Sequence, residues 1–106
     1  MTKISKKIAD FWDKSLLIVD DDNPFRERLA RSMEKKNFIV TQADSVKSGL
    51  LKAKEVNPAF AVVDLRLGDG NGLDVVKEIQ ISKKESKIIM LTGYGNIPTA
   101  VAAIKA

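Results

Sequence analysis

Residues 16–29 read LLIVDDDNPFRERL, and this stretch decides the fold. Four large apolar residues run directly into three consecutive aspartates, after which Asn23 and Pro24 open a segment of helical period. A short continuous apolar run is typical of a strand buried on both faces of a parallel sheet. Asp22 or Asn23 is suited to cap a helix that carries proline in its first turn. The stretch therefore predicts a β-strand followed directly by an α-helix.

The same alternation continues along the rest of the chain. Apolar runs predict three further strands, at residues 38–40, 60–63 and 88–91. Segments of helical period predict three further helices, at residues 46–56, 73–79 and 98–104. We expect Ser45 to cap the second helix and Asn57-Pro58 to end it. Strict alternation of strand and helix predicts an α/β fold built on a doubly wound parallel sheet with right-handed crossovers.

The composition limits the size of the protein and its chemistry. A chain of 106 residues suits one small domain. It contains no cysteine and no histidine, which excludes thiolate or imidazole metal sites, disulfides and Ser-His-Asp catalysis. A formal net charge of +4 is more typical of a lysine-rich surface than of a nucleic-acid interface. Without a signal peptide, disulfides or an apolar run of the roughly 20 residues that span a membrane, we expect a cytoplasmic protein with no membrane contact.

Residues 1–14 are predicted to form an N-terminal extension of a domain that spans residues 15–106. Ile4, Ile8 and either Phe11 or Trp12 fall at helical spacing, which is compatible with a short amphipathic helix. A frayed tail is the alternative.

Polar side chains follow the strands at one predicted edge of the sheet. Asp20 and Asp21 come directly after the first strand, Asp64 after the third and Thr92 after the fourth. The carboxyl ends of parallel strands meet at one edge, so we expect these four residues to converge. Crowded carboxylates raise one another's pKa unless a cation neutralises them, and Mg²⁺ prefers such oxygen ligands. An aspartate beside Mg²⁺ is a competent nucleophile toward phosphorus, and Thr92 can donate its hydroxyl to a phosphoryl oxygen.

The glycine-bearing stretch at residues 68–72 has a different interpretation. A dinucleotide fingerprint would need a third glycine where Leu73 stands, and the chain contains no phosphate-binding loop of the G-x-x-x-x-G-K-[ST] type. We therefore expect these glycines to shape a turn into the third helix.

Three segments taken together resemble the receiver domain of two-component response regulators: LLIVDDDNPFRERL, AVVDLRLGDGNGLDVV and IIMLTGYGN. The resemblance covers roughly residues 15–106 and implies a flavodoxin-like receiver fold with a signalling role rather than an enzymatic one. The segment LTGYGNIPTAVAAIK is similar, more narrowly, to the RegA/PrrA-type redox-responsive transcriptional regulators.

The resemblance implies a role for each residue at the sheet edge. Asp64 matches the phosphoacceptor, which takes a phosphoryl group from the phosphohistidine of a sensor histidine kinase. Asp20 and Asp21 match the acidic pair, and the implied Mg²⁺ site consists of these two residues, Asp64 and the backbone carbonyl of Arg66. Thr92 matches the switch hydroxyl. The implied output is transcription regulation, with DNA contacted only by a separate output module beyond residue 106.

The sequence departs from the family at its end. Receiver domains have a fifth strand that leads to a Lys-Pro pair, whereas Pro24, Pro58 and Pro98 are the prolines here and none follows a lysine. The chain ends inside the predicted fourth helix. We therefore expect a truncated receiver that lacks the last βα unit and leaves the outer edge of the fourth strand open. Open strand edges pair with other chains, so the sequence predicts a homo-oligomer formed through this C-terminal edge or by exchange of the last helix.

Two alternatives to a phosphorylated receiver stay open at this point. One is an interaction or dimerisation module of receiver-like fold that is not efficiently phosphorylated, because the family lysine is missing. The other is a small Mg²⁺-dependent phosphohydrolase with an aspartate nucleophile. Arg66 disfavours the hydrolase, because it stands two positions after Asp64, where an acid/base carboxylate would be needed.

Overall fold

A computed structural model describes residues 13–94 and 97–103, with the side chains of residues 13–92. The predicted extension at residues 1–14 therefore lies outside the described residues, apart from Asp13 and Lys14. Within the described part of the chain, no helix is both long enough and apolar enough to cross a membrane.

Seven strands and three helices make up the described chain. The strands are β1 Ser15–Val19, β2 Ile39–Ala43, β3 Phe60–Asp64, β4 Arg66–Leu67, β5 Gly70–Asn71, β6 Lys87–Tyr94 and β7 Ile97–Ala103. The helices are α1 Asn23–Lys35, α2 Val46–Val56 and α3 Leu73–Ser82. The main sheet has the order β2-β1-β3-β6-β7, and its first four strands are parallel. The predicted α/β fold with a doubly wound parallel sheet is confirmed.

Apolar residues of the strands alternate between two layers of helix. Leu16 and Ile18 of β1 pack with Ala30 of α1 on one face of the sheet. Leu17 and Val19 face the other way and join the core that α2 and α3 cover. This two-sided burial explains why the apolar run of β1 is continuous rather than alternating, and it leaves the ends of the strands as the place for polar side chains.

The predicted helix boundaries are largely confirmed. Asp22 caps α1 by accepting a hydrogen bond from the backbone N–H of Phe25 at 3.1 Å. Ser45 caps α2 by accepting from the N–H of Ser48, and Ser48 Oγ accepts from the N–H of Ser45 in return. Helix α2 ends at Val56, with Asn57 in the left-handed conformation at φ 47°. These caps satisfy backbone groups that a helix leaves without internal partners.

The predicted fourth helix at residues 98–104 is wrong. Residues 97–103 form β7, which pairs antiparallel with β6 in the register Tyr94↔Ile97 to Ile88↔Ala103. Ladder pairing satisfies backbone groups that β6 would otherwise present at an open edge.

This pairing also corrects the expectation about the edge of the sheet. The outer edge of β6 is not open, because β7 occupies it. Pro98 is compatible with β7, because β7 is an edge strand. Proline is tolerated at edge-strand positions whose N–H would face solvent rather than a neighbouring strand. Self-association through the C-terminal edge stays a prediction, and β7 rather than β6 would supply that edge.

Candidate functional site

Three carboxylates meet at the carboxyl end of the sheet. Strands β1 and β3 are parallel neighbours with Val19 opposite Val63, so the residues that follow them lie side by side. One carboxylate oxygen from each of Asp20, Asp21 and Asp64 lies within 4.8 Å of the other two. We refer to these three residues as the acidic cluster. The structure thus brings together the three aspartates that the sequence placed at this edge.

Asp20 is the buried member of the acidic cluster, with 5% of its surface exposed. Its Oδ1 accepts a hydrogen bond from the backbone N–H of Asp22 at 2.9 Å. Burial above all, together with the negative charges of Asp64, Asp21 and Asp22, raises the pKa of Asp20 to about 6 against the opposing effect of that hydrogen bond. A carboxyl group that resists ionisation in this way gains from a neighbouring cation.

Asp64 is half-buried at the end of β3. Its Oδ1 accepts a hydrogen bond from the backbone N–H of Arg66 at 2.9 Å, which fixes the carboxylate relative to the chain that follows. Burial raises the pKa of Asp64, as does the charge of Asp21, while the hydrogen bonds from Arg66 and from the side chain of Asp20 oppose the rise. Asp64 is therefore held in one orientation beside the other two carboxyl groups of the acidic cluster.

Thr92 lies at the same sheet edge. It belongs to β6 and follows Leu91, the residue that pairs with Asp64. Arg66 begins β4, two positions after Asp64. Thr92 was predicted to follow the fourth strand, whereas it lies within β6, which continues to Tyr94. The roles of the Thr92 hydroxyl and of the Arg66 carbonyl stay predictions.

Arg26 is a supporting residue that the sequence analysis did not identify. Its Nη1 donates to the backbone carbonyl of Asp20 at 2.9 Å and to Asn23 Oδ1 at 2.7 Å, and its Nε donates to Gln42 Oε1 at 2.9 Å. The guanidinium is buried. One feature of the sequence could have identified Arg26. It lies four residues before Ala30 and therefore on the face of α1 that packs against the sheet. Arg26 ties the start of α1 and β2 to the backbone of the acidic cluster.

Replacing Arg26 with lysine is expected to lower the free energy of unfolding by about 1–3 kcal/mol, because an ammonium cannot reproduce these divergent hydrogen bonds and leaves buried acceptors unpaired. Urea denaturation measures the loss. Arg28→Lys is the matched control, since Arg28 is exposed on the same helix. Equal stability of the two variants would contradict the structural role of Arg26.

The glycine-bearing stretch forms more than the predicted turn. Residues Arg66–Leu67 and Gly70–Asn71 pair as a short antiparallel hairpin, which we call the β4–β5 hairpin. A Cβ atom built on Gly68 would lie 3.8 Å from Asp21 Oδ2, so the tip of this hairpin adjoins the acidic cluster. Asn71 then leads directly into α3, its Oδ1 accepting from the N–H of Leu73 at 2.9 Å. The sequence predicted the turn but not the pairing of β4 with β5.

The donor set determines which ions suit the site. It consists of carboxylate oxygens from one buried, one exposed and one half-buried residue. Hard divalent cations such as Mg²⁺ and Ca²⁺ prefer oxygen ligands, whereas zinc sites are typically built from cysteine and histidine. The acidic cluster therefore fits Mg²⁺ by its chemistry.

The sequence profile of the response regulator receiver domain matches residues 16–106 of this chain. The chain belongs to the response regulator receiver domain family. Receiver domains are signalling domains of two-component systems, and the predicted resemblance to this family is confirmed.

Curated relatives of this receiver domain are regulatory proteins. It is 58% identical over 93 residues to the acid tolerance regulatory protein ActR of Sinorhizobium medicae, an alignment that covers 88% of this chain and 48% of ActR. It is 56% identical over 93 residues to the photosynthetic apparatus regulatory protein RegA of Cereibacter sphaeroides, covering 88% of this chain and 50% of RegA. The narrower similarity to RegA-type regulators is thus confirmed, and the chain spans about half the length of these relatives.

A solved structure supports the same assignment. The receiver domain superposes with a TM-score of 0.73 and 34% identity on a response regulator protein from Burkholderia pseudomallei, covering 78% of this chain and 49% of that one. That crystal structure holds a phosphorylated aspartic acid, a calcium ion and citrate. A structural neighbour therefore combines a phosphorylated aspartate with a divalent cation.

Proposed function

We propose that this receiver domain accepts a phosphoryl group on Asp64 from the phosphohistidine of a sensor histidine kinase, in a Mg²⁺-dependent reaction in the cytoplasm. The observation that carries the proposal is the acidic cluster, whose carboxylates lie within 4.8 Å of one another in a chain of the receiver family. On this proposal the domain is a phosphoacceptor that is switched by modification, and it turns over no substrate beyond its own phosphorylation and dephosphorylation.

The residues that would hold Mg²⁺ are Asp20, Asp21 and Asp64, joined by the backbone carbonyl of Arg66. When bound, Mg²⁺ neutralises the crowded carboxylates and offsets charge on the phosphoryl oxygens. The raised pKa of Asp20, about 6, supports this set, because burial first of all and the neighbouring carboxylates disfavour its ionised form, which a bound cation would favour.

The transfer itself uses the carboxylate of Asp64 as nucleophile. One of its oxygens attacks phosphorus, the P–N bond to the kinase histidine breaks, and the bonding electron pair returns to the imidazole nitrogen. Because the phosphohistidine ring is protonated on its other nitrogen, it leaves as neutral imidazole, and the products are an aspartyl phosphate and a neutral histidine on the kinase. The hydrogen bond from Arg66 to Asp64 Oδ1 holds the nucleophile in one orientation during the attack. The hydroxyl of Thr92 is proposed to donate to a phosphoryl oxygen afterwards.

The proposed output is transcription regulation. ActR and RegA are both named as regulatory proteins and are about twice as long as this chain. We therefore propose that DNA is bound by an output module outside these residues and that phosphorylation of Asp64 changes the activity of that module.

The test is phosphorylation by a small donor. Incubation with acetyl phosphate and Mg²⁺, followed by intact mass spectrometry, is expected to show one added phosphoryl group that is absent in Asp64→Asn and absent after chelation of Mg²⁺. Asp74→Asn is the matched control, because Asp74 is an exposed aspartate outside the acidic cluster, and we expect it to be labelled like the wild type.

Two results would overturn the proposal. A folded wild-type domain that binds Mg²⁺ but gains no phosphoryl group would be an interaction module. A domain that releases phosphate from simple phosphate esters over many turnovers would be a hydrolase.

A further inference from the structure

The tip of the β4–β5 hairpin is attached to a different element of the fold. Asp69 Oδ1 accepts a hydrogen bond from the backbone N–H of Val46 at 2.8 Å, and Asp69 Oδ2 accepts from the N–H of Lys47 at 3.1 Å. These two N–H groups begin α2. Gly70 has φ +153°, and a Cβ atom there would lie 3.4 Å from Val46 Cγ2, so the backbone also reaches α2 closely.

The chemistry of this attachment favours a charged carboxylate. The first N–H groups of a helix have no partner inside the helix, and negative charge is stabilised at that end. The hydrogen bonds from Val46 and Lys47 lower the pKa of Asp69, so the group is ionised at neutral pH. Ser45 accepts from the N–H of Ser48 at the same helix end. Asp69 and Ser45 thus divide the first three N–H groups of α2 between them.

The other end of the same hairpin lies at the acidic cluster. Arg66 pairs with Asn71 in the hairpin, and its N–H binds Asp64 Oδ1. Leu67 is buried, which fixes one face of the hairpin in the core. Gly68, in the turn that joins β4 to β5, adjoins Asp21. Asp69 lies at the tip of this two-pair ladder, so only the Leu67–Gly70 pair separates the tip from Arg66.

We propose that Asp69 is a positioning residue: its carboxylate clamps the β4–β5 hairpin onto the N-terminus of α2 and thereby holds the backbone of Arg66 in place for the metal and for Asp64. This inference rests on the proposed function. Asp69 touches neither the ion nor the phosphoryl group. It acts through the hairpin, and it makes the start of α2 part of the support of the site.

The first test needs no metal and measures hydrogen exchange of backbone amides. In Asp69→Asn, the amides of residues 66–72 are expected to exchange at least about 10-fold faster than in the wild type, because the charged two-oxygen clamp is lost. Ser45→Ala is the matched control: it removes the other cap of α2 and speeds exchange at the start of that helix while leaving residues 66–72 unchanged. Unchanged exchange of residues 66–72 in Asp69→Asn would overturn the proposal.

The second test measures Mg²⁺ affinity by isothermal titration calorimetry. Supporting residues around a metal typically change its affinity by about 10-fold or more, so Asp69→Asn is expected to raise the Kd for Mg²⁺ about 10-fold. Ser45→Ala is expected to change it by less than about twofold. Equal affinities of the two variants, with the wild type binding Mg²⁺ and labelled on Asp64, would overturn only the positioning role. A wild type that takes up no Mg²⁺ would overturn both that role and the proposed function.

Discussion

Replacing Gly72 with alanine is expected to lower the free energy of unfolding by about 3 kcal/mol or more, a large part of the stability of a domain of this size. A Cβ atom at this position would lie 2.1 Å from the carbonyl oxygen of Asp64 and 2.9 Å from Val63 Cγ1. The first of these neighbours is backbone of a central strand, which cannot move without displacing Asp64, the proposed nucleophile.

The cause of this effect is space and not backbone conformation. Gly72 has φ −62° and ψ −14°, which alanine adopts readily. Its N–H donates to the carbonyl of Leu65 at 3.0 Å, so the chain passes close behind β3 just before α3 begins. Glycine is needed here because the start of α3 is packed directly against the strand that carries Asp64.

Urea denaturation checks the Gly72 prediction, with Gly68→Ala as its control. A Cβ atom on Gly68 would meet nothing nearer than 3.8 Å, so that variant is expected to stay within about 1 kcal/mol of the wild type. If Gly72→Ala were as stable as Gly68→Ala, the close passage of the chain behind Asp64 would not exist in solution.

Replacing Asp20 with asparagine is expected to stabilise the metal-free domain and to abolish its stabilisation by Mg²⁺. At neutral pH the wild type must keep a buried carboxylate ionised next to two others, and the uncharged amide removes that cost of about 1–3 kcal/mol. We expect Mg²⁺ to stabilise the wild type, because an ion that binds only the folded form raises its stability, whereas the variant has lost one of the proposed ligands.

The difference in stability between Asp20→Asn and the wild type is expected to depend on pH. The pKa of Asp20 is raised from 3.8 to about 6, so between these values the folded state binds more protons than the unfolded state. The contribution of Asp20 to stability is therefore fully present below pH 4 and is lost as the pH rises through about 6. The stability gap between Asp20→Asn and the wild type is expected to widen over this range and then to level off.

Denaturation in the presence of a chelator, repeated at several pH values and then with Mg²⁺, measures both effects. Asp74→Asn serves as the control, since Asp74 is exposed and outside the acidic cluster. A gap that narrows as the pH rises would show that Asp20 is stabilised as a carboxylate, contrary to the structure.

The parallel part of the fold could be predicted because its signals are local. The apolar runs before Asp20 and Asp64 marked buried strands, and Asp22 and Ser45 marked helix starts within a few residues of where they occur. Once the strands were parallel neighbours, the convergence of the acidic cluster followed from geometry alone.

The features that were missed depend on distant partners. Ile97, Thr99 and Val101 alternate as a strand does, but the run of alanines around them favours a helix, and only the pairing with β6 decides between the two. Likewise, nothing near Arg26 in the sequence shows that it meets Gln42, and nothing near Asp69 shows that it meets Val46. These hydrogen bonds join residues 16 and 23 positions apart, beyond the reach of any local pattern.

Exposure increases across the acidic cluster from Asp20, which is buried, through Asp64 to Asp21, which is exposed. Access to Asp64, the proposed nucleophile, is consequently one-sided, since the interior closes the Asp20 side and solvent reaches the Asp21 side. Gly68 stands on that open side without a side chain, 3.8 Å from Asp21 Oδ2 when measured from where its Cβ would be. On the proposed function, a donor as large as a kinase domain and one as small as acetyl phosphate would therefore both approach Asp64 from this side, past a glycine that presents only main chain.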